Sequence, residues 1–365
     1  VEEREFWIAL NAVSGMGAGQ KLRLINELGS AEEIFRAKAK AASWSECRPL
    51  FIQNLQFADP EAIVRQEEKK AHLAKAAIIT LLDTAFPQLL REIYDPPLAL
   101  YVKGSLPQDM SRSLSIVGSR RATHYGQLVT ERISRDLVAC GFLIVSGLAR
   151  GIDTIAHRSA LASAGETIAV LGCGLDIAYP PENKNLMEQI ANQGAVLSEF
   201  PFGTEPHKMN FPIRNRIISG ISAGVLIIEA GEKSGALITA NCALEQGREV
   251  LAIPGNIYSP TSRGTNQLIK QGARLVEGVE DILEELGISA GEHSSGTAGS
   301  QSPPSNIKLT REEGKIYALL SYDPVPIDVI IQKSGLCPQD IHTILLTLEM
   351  KGIIKQLPGK LFIRV

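Results

Sequence analysis

Six short apolar runs separated by helix-length amphipathic segments set the narrowest limit on what this chain can fold into. They are Leu114–Val117, Leu143–Val145, Ile168–Leu171, Val196–Leu197, Val225–Ile228 and Val250–Ile253. Runs this short, rich in Val and Ile and apolar at successive positions, predict strands buried on both faces. Strands joined through helices predict crossover connections, and therefore a doubly wound parallel α/β sheet. The stretch Ser198–Gly255 contains the unit in its plainest form, with two such strands flanking a helix over Leu237–Gln246 that a Gly-Ala turn opens. In sheets of this kind ligands lie outside the carboxyl ends of the strands. The loop after each strand is thus the informative part. Gly118-Ser119-Arg120-Arg121 comes after the first run, Ser146-Gly-Leu-Ala-Arg150-Gly-Ile-Asp153 after the second and Gly172-Cys-Gly-Leu-Asp176 after the third. Lys208, Arg214, Arg216, Lys233 and Ser234 collect at the same end. Small residues leading into helices aim backbone amides at one crevice, and the added cations predict an anion site.

Composition narrows the anion. The 365 residues are 44% apolar, enough for two or three domains, and carry a net charge of -3. A generally basic nucleic-acid coat is excluded, so anion binding must come from local clustering in a cleft. The third turn has Gly172 and Gly174, but Ile177 stands where a dinucleotide fingerprint needs its third glycine, and Pro180-Pro181 comes next. No NAD, FAD or other cofactor is therefore expected. The five cysteines are scattered with no CxxC pair, which predicts a reduced chain without a metal site. The acidic start Val1–Glu5 has no apolar signal-like run, and no segment is long enough to span a bilayer. The expectation is a soluble, cytoplasmic protein with no membrane partner.

The flanks differ from the centre. Residues 1–80 read as a small helical domain, with helices over Phe6–Ala12, Gly19–Leu28 and Ala31–Ala37. Its turn Val13-Ser-Gly-Met-Gly17 suits either a helix-hairpin-helix turn, whose backbone approaches a phosphate, or a plain glycine turn in a bundle. Asp83–Pro107, with four prolines, reads as a connector into the sheet. Residues 288–306 have the Gly, Ser and Pro content of a flexible linker. In 307–365, helices over Arg311–Leu320, Ile327–Lys333 and Pro338–Met350 precede strands at Ile353–Gln356 and Leu361–Val365, which is winged-helix order. The helix in the recognition position displays Gln339, Asp340, His342, Thr343, Thr347 and Glu349 and few cations, so DNA reading and protein contact both fit it.

Five motifs in order resemble the bacterial DNA-processing protein family DprA, also called Smf. They are Gly118–Arg121, Ser146–His157, Asn210–Gly220, Ser234–Ala240 and Gly264–Ala273, within a resemblance covering roughly Leu81–Leu286. The resemblance implies an extended Rossmann domain over 81–287, flanked by a SAM-like N-terminal and a winged-helix C-terminal domain. It further implies single-stranded DNA binding in natural transformation, protection of incoming DNA, a homodimer, and delivery of the strand to the recombinase RecA. Residue by residue, the family's Gly-Ser-Arg arginine falls on Arg120, its basic and aromatic loop positions on Lys208 and Phe211, and its Arg-Asn-Arg pair on Arg214 and Arg216. The expected DNA-facing set is Gly118, Ser119, Arg120, Arg121, Arg150, Lys208, Asn210, Phe211, Arg214, Asn215, Arg216, Lys233, Ser234 and Gly235.

The residue chemistry agrees. Lys208-Met-Asn-Phe211 offers a cation for phosphate and a ring for a base within four residues, though a lone aromatic also suits a core. One of Arg214 and Arg216 could instead pair with Glu199 or Glu229. The rival reading is a nucleotide or N-glycoside hydrolase like the cytokinin-activating LOG family. Aligned by eye, the catalytic acid of that family falls on Ile238, which cannot serve. Asp153, His157 and Glu199 remain as polar candidates, with Asp153 better suited to a helix start. No nucleophilic triad or Walker loop is present, so a binding module rather than an enzyme is expected. A closing edge strand near Ile269 and Leu275 is the expected dimer contact.

Overall fold

Each of the six apolar runs lies, to within one residue, in a strand of one sheet in the computed structural model, which describes residues 2–44, 47–288, 309–321 and 324–364. The sheet has nine strands: β1 (Ala76–Thr80), β2 (Ala99–Gly104), β3 (Ser113–Val117), β4 (Leu143–Ser146), β5 (Thr167–Val170), β6 (Ala195–Ser198), β7 (Gly224–Ile227), β8 (Glu249–Ala252) and β9 (Arg274–Leu275). Their order is β1-β2-β6-β5-β4-β3-β7-β8-β9. From β6 through β9 all neighbours are parallel, with helices on both faces, as double winding requires. The strand order changes direction at β3, which pairs with both β4 and β7.

Two strands come from segments expected as helical and connecting. β2 lies inside the proline-rich stretch and runs antiparallel to β6, with Tyr101 opposite Ser198, and β1 pairs antiparallel with β2. Its prolines flank the strand: Pro96 and Pro97 precede Leu98, and Pro107 lies beyond Gly104. Ala99, Leu100, Tyr101 and Val102 are all buried, so the run has the same cause as the central strands. The sheet is therefore mostly, not wholly, parallel.

The N-terminal helices Glu3–Ala12, Ala18–Leu28, Ala31–Arg36, Pro49–Phe57 and Pro60–Ala74 share a core with the sheet. Trp7, Ile8, Leu10, Phe51 and Leu55 pack in one cluster with Tyr101, Ala169 and Val196. The turn between the first two helices is closed by the fourth. Gly15, at φ +103, faces the backbone of Phe51, which a Cβ would approach to 2.7 Å, and Asn54 Nδ2 donates to Ser14 O at 3.2 Å. That glycine serves close packing within the bundle.

The chain forms two compact units, residues 1–290 and 291–365. In the second, helices Arg311–Leu319, Ile327–Ser334 and Pro338–Met350 pack Ile316, Ile330, Ile341, Leu345 and Leu348 around Phe362. Its sheet has the order β10-β12-β11, from β10 (Val325–Pro326), β11 (Ile354–Leu357) and β12 (Leu361–Arg364), so the expected hairpin gains a third short strand. The expected linker 288–306 lies outside the described residues except for Ile288. Among the described residues no helix is long and apolar enough to cross a membrane.

Candidate nucleic-acid interface

The loops after β3, β4 and β5 meet the start of helix Asn210–Gly220 at the carboxyl end of the sheet. Arg120, Gly147, Ala149, Arg150, Gly172, Tyr179, Pro180, Phe211 and Arg214 line one cleft there. Phe211 is its centre. The Arg120 guanidinium carbon lies 5.5 Å from the ring centroid and that of Arg214 5.8 Å, while the Tyr179 ring lies at 5.5 Å and is tilted by 35°. Phe211 and Arg214 meet because residues three apart share a helix face. Gly172 lets the ring sit against the β5 loop, since a Cβ there would come within 2.8 Å of Phe211 Cδ1. The ring is half-buried and held on its flanks.

Arg120 is exposed and stands beside the Phe211 ring with no ion pair among the described residues, so its charge is available. Its loop is fixed from below. Arg121 N donates to Ser119 Oγ at 3.1 Å, and Ile152 N donates to Ser119 O at 3.2 Å. Arg150 is exposed and paired with Glu182. The hydrogen bond from Arg150 raises its own guanidinium pKa and lowers that of the Glu182 carboxyl. Arg214 is buried. Its Nη1 donates to the carbonyls of Gly147, at 2.7 Å, and Val170, and its Nε to Asn215 Oδ1 at 3.2 Å. Burial pulls its pKa down to about 10, against the attraction of Asp153. It therefore clamps the β4 and β5 loops together beneath the ring and adds positive potential from below.

The helix cannot aim both arginines at the cleft. Arg214 and Arg216 are two residues apart, about 200° around an α-helix. Arg216 accordingly points away, into a buried ion pair with Glu199 and a 3.3 Å contact with Asp95. This is one of the four pairings the sequence left open, and it takes Arg216 out of the expected DNA-facing set for a physical reason. The other carboxylate, Glu229, is held by threonines. Its Oε1 accepts from Thr123 Oγ1 at 2.5 Å and Thr261 Oγ1 at 3.3 Å, and its Oε2 from Thr123 N at 2.9 Å.

The remaining candidates spread along the rim. Lys208 is exposed on the turn before the helix, and Asn210 Nδ2 donates to Glu205 O at 3.4 Å. Gly118 opens the β3 loop. Lys233 is exposed at the tip of the β7 loop, and Ser234 caps helix Gly235–Glu245 by accepting from Ala236 N at 3.3 Å. Asn215 Nδ2 donates to Gly235 O at 3.3 Å, which ties that helix start to the clamp. Tyr179 and Pro180 are cleft residues that the sequence did not single out. Their only signal is an aromatic in the loop after a sheet strand, since periodicity does not report which loop residues face a cleft.

The polar side chains on which a hydrolase would depend are all buried. Asp153 Oδ2 accepts from Gly147 N at 3.2 Å and Ala149 N at 3.3 Å, and burial pushes its carboxyl up to about 6 against the pull of Arg214. His157 is fully buried with Nδ1 2.7 Å from Thr167 Oγ1, and burial lowers it to about 3. Ile238, on the exposed side of its helix, offers no acid or base.

The model of the family described as DNA recombination-mediator protein A matches residues 77–287, and that of the DprA winged helix domain matches residues 300–360. The chain belongs to this family. Protein Smf of Escherichia coli (strain K12) is 36% identical, over 98% of this chain and 95% of the relative. The DNA processing protein DprA of Streptococcus pneumoniae is 45% identical, over 59% of this chain and 78% of the relative. Among solved structures, the X-ray structure of DprA from Streptococcus pneumoniae matches at a TM-score of 0.67 and 37% identity, covering 78% of this chain and 98% of that one. DprA from Helicobacter pylori, whose structure is described as giving insight into a single-stranded DNA binding mode, matches at 0.52 and 32%, covering 58% and 97%. The fold is accordingly that of the DprA family, with its mostly parallel sheet, helical N-terminal part and winged helix.

Replacing Phe211 separates the ring's two expected roles. Phe211→Ala should cost roughly 1–3 kcal/mol of single-strand affinity, the value of one base stacked on an aromatic. Because the ring is only half-buried, urea unfolding should shift far less than the ~3–5 kcal/mol of a fully buried phenylalanine. A stability loss of that full size with unchanged affinity would assign the ring to the core.

Proposed function

We propose that this cleft holds one strand of DNA, with phosphates on Arg120 and its basic neighbours and a base on Phe211. The observation that carries the reading is a half-buried ring flanked by a guanidinium with no ion pair among the described residues, the pairing of aromatic and cation that sequence-tolerant strand binding needs. The Helicobacter pylori relative, described as binding single-stranded DNA, supports the same substrate. The role is then processing of DNA taken up in natural transformation, with protection of the strand and loading of RecA recombinase resting on family resemblance. Residues 81–287 would bear the strand, and 307–365, as a winged helix, would add a DNA or protein contact. An enzymatic role has little support, because Asp153, His157 and Glu199 are each occupied in holding the fold.

A homodimer completes the proposal. β9 is the last strand of the sheet, Leu275 on it is exposed, and Ile269 on the preceding helix is half-buried. An uncovered edge of this kind pairs readily with a copy of itself. Ile269→Glu should convert a dimer seen by sedimentation at micromolar concentration into monomer. A wild-type monomer, or an unchanged dimer in the variant, would count against it.

Salt dependence tests the substrate without a mutant. The exposed cations Arg120, Arg121, Lys208 and Lys233 could neutralise about four phosphates, which predicts a slope of log affinity against log salt of about -3. A mononucleotide site would grip one or two phosphates and give a slope of roughly -1. A shallow slope with tight mononucleotide binding would revive the hydrolase.

A further inference from the structure

We infer that Tyr258 is a second base-stacking platform at the far end of the strand's path; this rests on the DNA reading of the cleft and extends it. Tyr258 is 85% exposed and its neighbour Ile257 75% exposed, at the tip of the loop after β8. Two adjacent large apolar side chains held in water gain no burial and are free to meet a ligand. The loop that carries them is nevertheless tightly built. Asn266 bridges its start, donating to Gly255 O at 2.9 Å and accepting from Gly255 N at 3.2 Å, and Tyr125 Oη donates to Pro254 O at 3.0 Å. At its other end Ala230 N donates to Thr261 O at 2.7 Å and Gly264 N to Ala230 O at 2.8 Å.

These bonds join the loop to the DNA cleft. Glu229 binds Thr123, two residues beyond Arg121, and also Thr261, three residues beyond Tyr258. One carboxylate thus ties the arginine loop after β3, the Lys233 loop after β7 and the tyrosine loop after β8 into a single rim. The strand order β5-β4-β3-β7-β8 puts the Phe211 cleft across the β5, β4 and β3 loops, with Arg121 next to it, then Lys233, then Tyr258. From the middle of that cleft, at β4, to β8 is three strand steps of about 4.8 Å, or roughly 14 Å. At about 3.4 Å per stacked nucleotide that is about four nucleotides, fewer if the strand is extended. The exposed Lys233 and Arg121 supply charge between the two rings, whereas Arg263 is occupied by Glu232 at 3.2 Å. An aromatic at each end with cations between is the pattern for a single strand crossing the rim.

The test compares oligothymidylates of two and twelve nucleotides on the full chain. Tyr258→Ala should weaken binding of the twelve-mer roughly 5- to 100-fold, Tyr258→Phe should preserve it, and the dinucleotide, held at Phe211, should be unaffected by either change. Tyr258→Trp should add a fluorescence signal, beyond that of Trp7 and Trp44, that the twelve-mer quenches. Unchanged twelve-mer affinity in Tyr258→Ala, alongside a loss in Phe211→Ala, would overturn this inference and leave the cleft's DNA reading intact. Unchanged affinity in both variants and in Arg120→Glu would remove both. A loss of affinity in Tyr258→Ala accompanied by a changed sedimentation coefficient would make the residue a protein contact and likewise overturn it.

Discussion

Arg120→Glu is expected to lose most single-strand affinity, by about 2–4 kcal/mol or roughly 30- to 1,000-fold, while unfolding stays within ~0.5 kcal/mol of the parent. The guanidinium is exposed and rests against the Phe211 ring, so little packing is lost. Binding suffers twice, because a charge-assisted phosphate contact disappears and a carboxylate enters the same few ångströms. Arg120→Lys should lie between the two. An ammonium keeps the charge but cannot lie flat beside the ring as the planar guanidinium does. Near-parental affinity in Arg120→Glu would move the strand to another surface.

The second large effect lies two residues from the cleft and concerns stability. Arg216→Met should destabilise the fold by about 3–5 kcal/mol, the usual cost of leaving one member of a buried ion pair without its partner. Glu199 is buried, and burial already pushes its carboxyl above the usual range, with Arg216 opposing the shift and Asp95 adding to it. Buried Lys21, lowered to about 7 by desolvation, lies close enough to pull on Glu199 but donates its hydrogen bond to Asn11 O at 3.0 Å. Removing both charges in Arg216→Met with Glu199→Leu should recover much of the loss, since a packed apolar pair costs no desolvation. Urea denaturation of the single and double variants reads this directly. The folded fraction of Arg216→Met should still bind single strands. A stable Arg216→Met protein with lost affinity would return this arginine to the DNA surface.

The parallel strands are legible in the sequence because burial on both faces leaves an unbroken Val and Ile signature, and the loops after them can be ranked because the topology fixes where ligands sit. β2 has an unbroken apolar run of the same kind, but the prolines flanking Ala99–Gly104 resemble a connector, and such a run does not report that it pairs antiparallel with β1 and β6. Arg214 and Arg216 look equivalent as residue types. Their two-residue spacing on a helix already separates their directions, and that geometry decides which one can reach the ring. Tyr179 and Tyr258 lie in loops, where no periodicity reports facing, so only the fold brings one against Phe211 and leaves the other in water.

The most direct measurement is a fluorescence-anisotropy titration of the full chain with single-stranded and duplex DNA of equal length at one moderate salt concentration. A phosphate grip alone does not distinguish the two, but a base can reach the Phe211 ring only from an unpaired strand. In a duplex, unstacking and unpairing would cost a few kcal/mol before that contact forms. The expected result is therefore single-strand binding tighter by at least roughly tenfold, the equivalent of about 1.4 kcal/mol. Equal affinities would contradict the cleft as a single-strand site.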